Sequence, residues 1–355
     1  MKKYLLLTLF ALFATASFAQ ELNLKDFKIN KLRLEVRTDF DYLTENDSSF
    51  SGFSGRYLNF VISGDITKDF FYAYRQRLNK VQSDNSFFDA TDYLYIGWRI
   101  NKNFSLTVGK EVIAMGGIEY DLAPIDVYFH SLFWSNFNCY RFGTNFIYTS
   151  NDEKNIITFQ LTNSPFISKL YDKLYNYSLH WRGNFKHFGP VCSVNMYEYK
   201  EGTFLNVIAL GTTYQFGPIV GYLDFTNRAN GDQKEFFFKD MTYIARLGCN
   251  FFGEKLHVFV KAGRDVNEAQ EFNITDNQLF DLCVLPGSDV QFYGGGFEFF
   301  PLKGRDDIRI HAFFAVNDTS KCTELNNGLL TLTTKNGTSY QANFGITWRL
   351  NFIDR

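Results

Sequence analysis

The sequence predicts an all-β protein: a transmembrane antiparallel β-barrel of about 16 strands with an inward-folded constriction loop. Three observations lead there. Apolar and polar residues alternate with period two through most of the chain. Aromatic residues make up 19% of it, with 41 Phe and 21 Tyr against only 6 Pro. No segment after the N-terminal one offers the run of about 18 apolar residues that a spanning helix requires. In lipid every backbone N–H and C=O must be paired internally, and a closed barrel is the sheet that achieves this. It also has a use for aromatic rings, with Phe against acyl chains and Tyr and Trp at headgroup level.

The first nineteen residues read as a secretory signal peptide. Lys2 and Lys3 give the positive start, residues 4–13 the apolar core, and Ser17-Phe18-Ala19 the small-x-small cleavage site. The barrel is then expected over residues 20–355 as one domain. Cleavage takes two of the 36 basic residues and leaves 34 against 38 acidic, a net charge near −4. That balance speaks against nucleic acid as a partner, which calls for a basic surface.

The first strand sets Leu32, Leu34 and Val36 against Arg33, Glu35, Arg37 and Asp39. Residues 44–53 read as a polar loop. The second strand carries Leu58, Phe60 and Ile62 on one face; the third sets Arg75 and Arg77 against Tyr72 and Tyr74. Residues 79–89 form another polar loop. The fourth strand sets Leu94, Ile96, Trp98 and Ile100 against Tyr93, Tyr95, Gly97 and Arg99, and residues 101–103 turn into the fifth, 104–110. There Lys110 shares its face with Phe104, Leu106 and Val108. Either it sits at the rim or a bulge at Gly109 turns it inward; alternation leaves both open.

Residues 111–138 are too many for a hairpin turn and too aromatic for a solvated loop, so they are expected to fold into the bore. Gly116 and Gly117 allow close backbone approach or positive φ, or make an ordinary turn. Tyr120 narrows the bore or packs on its wall. Inward arginines bonded to Glu119 and Asp121 would pin the segment.

The sixth strand turns Phe142, Phe146 and Tyr148 outward and Arg141, Gly143 and Asn145 inward. The seventh alternates Ile157, Phe159 and Leu161 with Thr158, Gln160 and Thr162. The eighth puts Leu179 and Trp181 outside, His180 and Arg182 inside; the ninth puts Cys192, Val194 and Met196 outside. The tenth, residues 204–216, has blurred alternation. The eleventh opposes Leu223 and Phe225 to Asp224 and Thr226, and the twelfth Tyr243, Ala245 and Leu247 to Arg246. The thirteenth places His257 and Lys261 inside. After a long loop, 266–288, the fourteenth contains Gly294, Gly295 and Gly296, which suit a bend or close packing. The fifteenth sets Ile308, Ile310 and Phe314 against Arg309 and His311. Residues 317–338 read as a long polar loop, and the last strand sets Phe344, Ile346, Trp348, Leu350 and Phe352 against Arg349 and Asn351. Long and short connections alternate, as in barrels with one outer and one periplasmic rim; an even strand count puts both termini on the periplasmic side.

The inward face collects Arg33, Arg37, Arg75, Arg77, Arg99, Arg141, Arg182, Arg246, Lys261, Arg309 and Arg349, with Glu35, Asp39, Asp224, Asp265 and Glu298 as its acids. A cation facing lipid at mid-depth would cost roughly 2–4 kcal/mol, which turns these side chains inward. Such a basic lumen attracts anions, or its cations and carboxylates only satisfy one another; both readings stand. Glu119, Asp121 and Asp126 argue against a strong phosphate site in the loop.

Gly109-Lys110-Glu111 followed by residues 115–126, Met-Gly-Gly-Ile-Glu-Tyr-Asp-Leu-Ala-Pro-Ile-Asp, resembles the phosphate-selective porin O and P family of Gram-negative outer membranes, over roughly residues 91–150. The resemblance implies a wide barrel with an inward loop, passing small hydrophilic solutes or anions, embedded in outer-membrane lipids and assembled as a homotrimer. The competing expectation is a plugged barrel serving as receptor, adhesin or structural protein through the loops at 266–288 and 317–338. A lipid hydrolase is a third class, and the motifs give it nothing. His130, His180, His187, His257 and His311 stand in no nucleophile or zinc motif. No catalytic residue, cofactor or metal is expected. The cysteine count is odd: Cys139, Cys192, Cys249, Cys283 and Cys322. Cys192 and Cys249 fall on apolar faces, and Cys283 and Cys322, in two outer loops, are candidates to pair.

Overall fold

Period-two alternation resolves into sixteen antiparallel strands among the described residues, each bonded to its sequence neighbours, with the last bonded to the first. The computed structural model describes residues 26–45, 48–80, 87–166, 173–231, 233, 235–269, 283–302, 304–326 and 331–355, with side chains omitted at 322–335. The expected signal peptide and the side chain of Cys322, hence its pairing with Cys283, lie outside the described residues. The strands are β1 (Lys28–Glu45), β2 (Ser48–Asp65), β3 (Phe70–Arg77), β4 (Thr91–Arg99), β5 (Phe104–Val112), β6 (Tyr140–Thr149), β7 (Asn155–Asn163) and β8 (Tyr175–Gly183). They continue as β9 (Phe188–Lys200), β10 (Thr203–Phe216), β11 (Ile219–Asn230), β12 (Asp240–Phe251), β13 (Leu256–Asn267), β14 (Asp289–Phe299), β15 (Ile308–Asn326) and β16 (Thr331–Asp354).

Closure leaves the outer face apolar: Ile96, Leu179, Val194, Leu223, Leu247, Val260, Phe314 and Phe344 are all exposed. Their neighbours in sequence point inward and are buried or half-buried, as with Asn195 beside Val194 and Lys261 beside Val260. The outward side chains have no protein neighbour to cover them, which is the condition that lipid satisfies.

Two polar stretches expected as loops are strand instead. β1 and β2 pair out to Glu45 and Ser48, and β15 and β16 pair out to Leu325 and Leu332. Serine, threonine and glycine made these stretches look like loops. Ladder bonding is blind to side chains, so a polar hairpin extends a sheet into water wherever the strands below fix its register. β1, β2, β15 and β16 run 18, 18, 19 and 24 residues, against the roughly 9–11 that cross a bilayer. They raise one side of the long-connection rim.

Lys110 lies at the rim. The β4–β5 and β5–β6 registers pass Gly109 without a shift, so no bulge turns Lys110 inward. It keeps the outward parity, opposite Leu94 and Phe142. The 3-10 turn Phe87–Ala90 folds over it, and its ammonium donates to the Phe88 carbonyl.

Blurred alternation in β10 has a packing cause. Its inward residues Leu205, Val207 and Ala209 are buried against Ile113, Met115, Phe133 and Phe137 of the segment inside the barrel. One sector of the wall is therefore apolar on both faces: lipid lies outside, and the folded-in segment lies inside. A second segment joins this core. Cys283 and Val284, expected in an outer loop, are buried in the same cluster. Asn136 Nδ2 donates to the Cys283 carbonyl at 2.8 Å, and Asn267 Nδ2 to the Val284 carbonyl at 2.7 Å.

Candidate functional site

The segment between β5 and β6 crosses the bore and meets two kinds of wall. It holds two short helices, α1 (Ile118–Asp121) and α2 (Leu132–Asn136), with a 3-10 turn at Pro124–Asp126. Its first leg docks on β7 and β9 through neutral groups. Gln160 accepts from Ala114 N at 2.7 Å and donates to the Val112 carbonyl at 2.9 Å, while Asn195 Nδ2 donates to the Ala114 carbonyl at 2.8 Å. Gly116 N donates to Ser193 Oγ at 2.7 Å, and Gly117 N to the Val191 carbonyl at 3.0 Å. Both glycines are required here. A Cβ on Gly116 would stand 2.6 Å from the Ala209 carbonyl oxygen, and Gly117 has φ +97°. The wall has its own glycine at the contact, since a Cβ on Gly211 would stand 2.7 Å from Gly117 Cα.

Beyond the glycines the bonds become ionic. Asp224 accepts from Ile118 N at 2.6 Å and Glu119 N at 2.8 Å, pairing two amides that the start of α1 leaves without helical partners. Lys261 Nζ lies 2.5 Å from both Glu119 Oε1 and the Phe129 carbonyl, and Ser131 Oγ donates to Glu119 Oε2 at 2.5 Å. Arg182 forks onto Asp121, with one bond at 2.9 Å. Asp126 takes Arg309 at 2.5 Å and Arg349 at 2.6 and 2.7 Å. Arg37 donates to the Ile125 and Val127 carbonyls at 3.2 and 3.0 Å while paired with Asp39 at 2.7 Å. Tyr128 Oη donates to Glu298 at 2.6 Å, and Leu132 N to Asp265 at 2.7 Å. Neutral groups thus hold one side of the segment, and acidic and basic side chains hold the other.

Tyr120 packs within the segment: its hydroxyl donates to the Ile113 carbonyl at 3.0 Å and its ring meets Phe137 at 5.7 Å. The cation on Glu119 is a lysine, not the expected arginine. Among the other inward cations, Arg33 reaches Asn351 at 2.5 Å and Asp354 at 3.3 Å near the strand ends. Arg75 and Arg77 share Asp92 at 3.2 and 2.9 Å. Arg99 pairs with Asp65 at 2.7 Å and lies over Phe71 at 4.7 Å. Arg141 donates to the Pro165 carbonyl at 2.7 Å. Arg246 approaches Glu298 at 3.7 Å and lies over Phe259 at 4.4 Å.

Asp41, Asp65 and Asp92 are inward acids absent from the sequence reading, and with Glu119, Asp121 and Asp126 they place carboxylates beside most of the wall cations. Asp65 and Asp92 stand at strand ends, where alternation fades. Arg56 was missed too, because residues 44–53 read as loop and the strand after them was expected to open at Leu58. In the structure it is the extra residue of a β-bulge, between the pairs Arg37–Tyr57 and Thr38–Gly55. A bulge re-aims a side chain, and Arg56 turns inward beside Tyr57, 3.2 Å from Asp41 and 3.7 Å from Asp39.

Ser135 Oγ lies 2.8 Å from His130 Nδ1 and 3.2 Å from the Ser131 carbonyl, and the His130 ring stacks on Trp134 at 4.5 Å. These contacts close the α2 turn on itself. No cluster of metal-ligating residues occurs among the described residues.

Burial alone would push the Asp126 carboxyl up; the Arg309 and Arg349 guanidiniums outweigh it and hold the carboxyl below the usual carboxylate range. A depressed folded value means that this anchorage is fully present above the ordinary value of about 3.9 and fades only as pH falls through the lower one. The excess current noise of Asp126→Ala over the parent is therefore expected to be constant from about pH 7 to 5 and to shrink only below about pH 4. An excess that already shrinks near pH 6 would show that the two guanidiniums do not hold the Asp126 carboxyl down.

Cavities lie at both ends of the bore. At the short-turn end, one of about 410 Å³ is lined by Leu122, Lys186, His187, Tyr222, Arg246 and His257, among others, with no carboxylate among the described residues of its lining. A neighbour of about 600 Å³ shares His257 and adds Lys255, Arg305, Glu254, Glu298 and Asp306. At the long-connection end, a cavity of about 210 Å³ includes Arg37, Arg56, Tyr57 and His130.

Solved barrels share this architecture. The chain is similar to the anion-selective porin from Comamonas acidovorans, with a TM-score of 0.62, 11% identity, and coverage of 91% of this chain and 100% of that one. It is similar to the outer-membrane expressed OmpT of Vibrio cholerae, at 0.58 and 10% identity, covering 92% and 98%. A trimer form of that OmpT also gives 0.58, at 9% identity, covering 91% and 99%. No curated protein matches the sequence. At these identities the solved structures establish the fold; kinship comes from the sequence. Residues 30–232 match the family model described as phosphate-selective porin O and P, more than half of the chain, and the protein belongs to that family of outer-membrane porins.

Proposed function

We propose that this porin passes small hydrophilic solutes by passive diffusion with a mild preference for anions. The cavity at the short-turn end carries this reading: Lys186 and Arg246 line it, and among the described residues no carboxylate does. Fixed cations in a low-dielectric wall favour anions. The preference is mild because Arg246 itself stands 3.7 Å from Glu298 and most cations deeper in the bore have carboxylate partners, and a paired charge projects little field. An anion-selective neighbour in fold agrees in sign. The same reading includes cleavage after Ala19, one barrel domain over 20–355, both termini in the periplasm, a lipid-embedded homotrimer and no catalytic step.

In planar bilayers the purified protein is expected to give discrete current steps, with a reversal potential of anion sign in a KCl gradient. Replacing both Lys186 and Arg246 by Gln is expected to lower the anion-to-cation permeability ratio about two- to fivefold, the factor that roughly 0.5–1 kcal/mol of exposed charge interaction gives. A reversal potential of cation sign would overturn the preference. The inward packing of Val284 beside the crossing segment favours a plugged barrel as second reading; silent, sealed bilayers would establish it and remove the first.

A further inference from the structure

We propose that Arg56 and Tyr57 form a subsite for a single hydroxylated ring carrying one carboxylate, a sugar acid, at the long-connection mouth of the bore. The inference rests on the porin reading and names a solute class for it. The cavity measures about 210 Å³, below the roughly 300–1,000 Å³ of sites for drug-sized ligands, which is room for one sugar ring; it shares His130 and Asn317 with a cavity of about 630 Å³.

Its cations differ in availability. Arg37 is buried, with donors committed to Asp39 and two loop carbonyls. Arg56 keeps 46% of its side chain exposed, and its carboxylate contacts stand at 3.2 and 3.7 Å. A guanidinium has five N–H donors in a fork that matches a carboxylate, so Arg56 can hold Asp41 and still offer donors to the cavity. The β-bulge is what brings Arg56 to the same side as Tyr57; in a regular strand the two would face opposite ways.

The remaining lining suits hydroxyls and a ring face. Asn317 supplies a hydrogen-bonding side chain, as do the groups of His130 and Gln341 beyond their bonds to Ser135 and Asp41, and Tyr57 and Tyr128 supply aromatic surface. Arg37 already lies 4.8 Å over the Tyr128 ring but 6.0 Å from that of Tyr57. Tyr57 is therefore the more available ring for the C–H face of a sugar. A bare inorganic anion would use the guanidinium and leave the ring and amides idle; a neutral sugar would do the reverse.

Titration calorimetry on the whole protein in detergent tests this with D-glucuronate, D-glucose and acetate as probes. Glucuronate is expected to bind with a dissociation constant of about 1 mM or tighter, with glucose and acetate at least about tenfold weaker. Arg56→Gln is expected to weaken glucuronate about tenfold, while chloride conductance in bilayers reports that the barrel still assembles. Glucuronate no tighter than acetate, or unchanged affinity in Arg56→Gln, would overturn the subsite. Chloride current without glucuronate binding would remove the subsite and leave the porin reading; binding without current would keep the subsite and remove that reading.

Discussion

Replacing Asp126 with alanine is expected to raise both the open-channel noise and the anion-to-cation permeability ratio. Asp126 is the single carboxylate that Arg309 and Arg349 share, through contacts of 2.5 to 2.7 Å. Its loss takes three bonds from the middle of the crossing segment and leaves two guanidiniums with less negative charge near them. Removing one partner of a buried pair costs about 3–5 kcal/mol. The figure here falls below that range, because Asp126 is only part-buried, Arg309 keeps Glu298 at 3.1 Å and Arg349 keeps Glu35 at 3.6 Å. The barrel itself should survive, since its ladder bonds are untouched. Selectivity is the sharper readout: a reversal potential unchanged from the parent would show that ions pass on a path away from this pair.

Gly116→Val is the second large effect, and it acts without charge. The new Cβ would meet the Ala209 carbonyl oxygen at 2.6 Å and Cys192 Cα and Ser193 N at 2.8 Å. These are backbone atoms of β9 and β10 inside a closed sheet, so the loop must yield and not the wall. Overpacking of this kind costs about 1–3 kcal/mol. Lifting the first leg also breaks the bonds from Gly116 N and Gly117 N to the wall. Conductance is expected to become multi-level, with the heat-induced gel shift of the folded barrel moving to lower temperature. Gly52→Ala is the control: its Cβ would meet nothing within 4 Å and no positive φ is recorded there, so it should behave as the parent. Equal behaviour of the two variants would contradict the docking of the glycine pair.

Much of this was legible from residue order, and the failures have a common form. Alternation assigns a side chain to one face of the sheet and therefore put Lys261 and Arg349 inside. It failed for Arg56, because a bulge breaks the period of two, and in β10, because both faces of that strand meet apolar surroundings. It failed for residues 44–45, 48–53, 317–326 and 331–338, where side-chain polarity masked continued strand pairing. The crossing segment was recognisable from its length and aromatic content. That Gly116 rests on β9 and β10 was not, because the contact depends on which strands lie beneath the loop.

The sequence by itself determined that this chain forms a two-faced, closed sheet with a segment folded inside, because a period of two and a lipid exterior leave few other solutions. Which charge meets which was decided only by tertiary structure. Asp126 pairs with Arg309 and Arg349 across separations of 183 and 223 residues, and Glu119 pairs with Lys261 across 142. Alternation gives the face a residue occupies but neither its depth along the barrel nor its neighbour around it. Those follow from the strand register and the closure of β1 on β16, and they determine how much of the wall's positive charge remains for a passing solute.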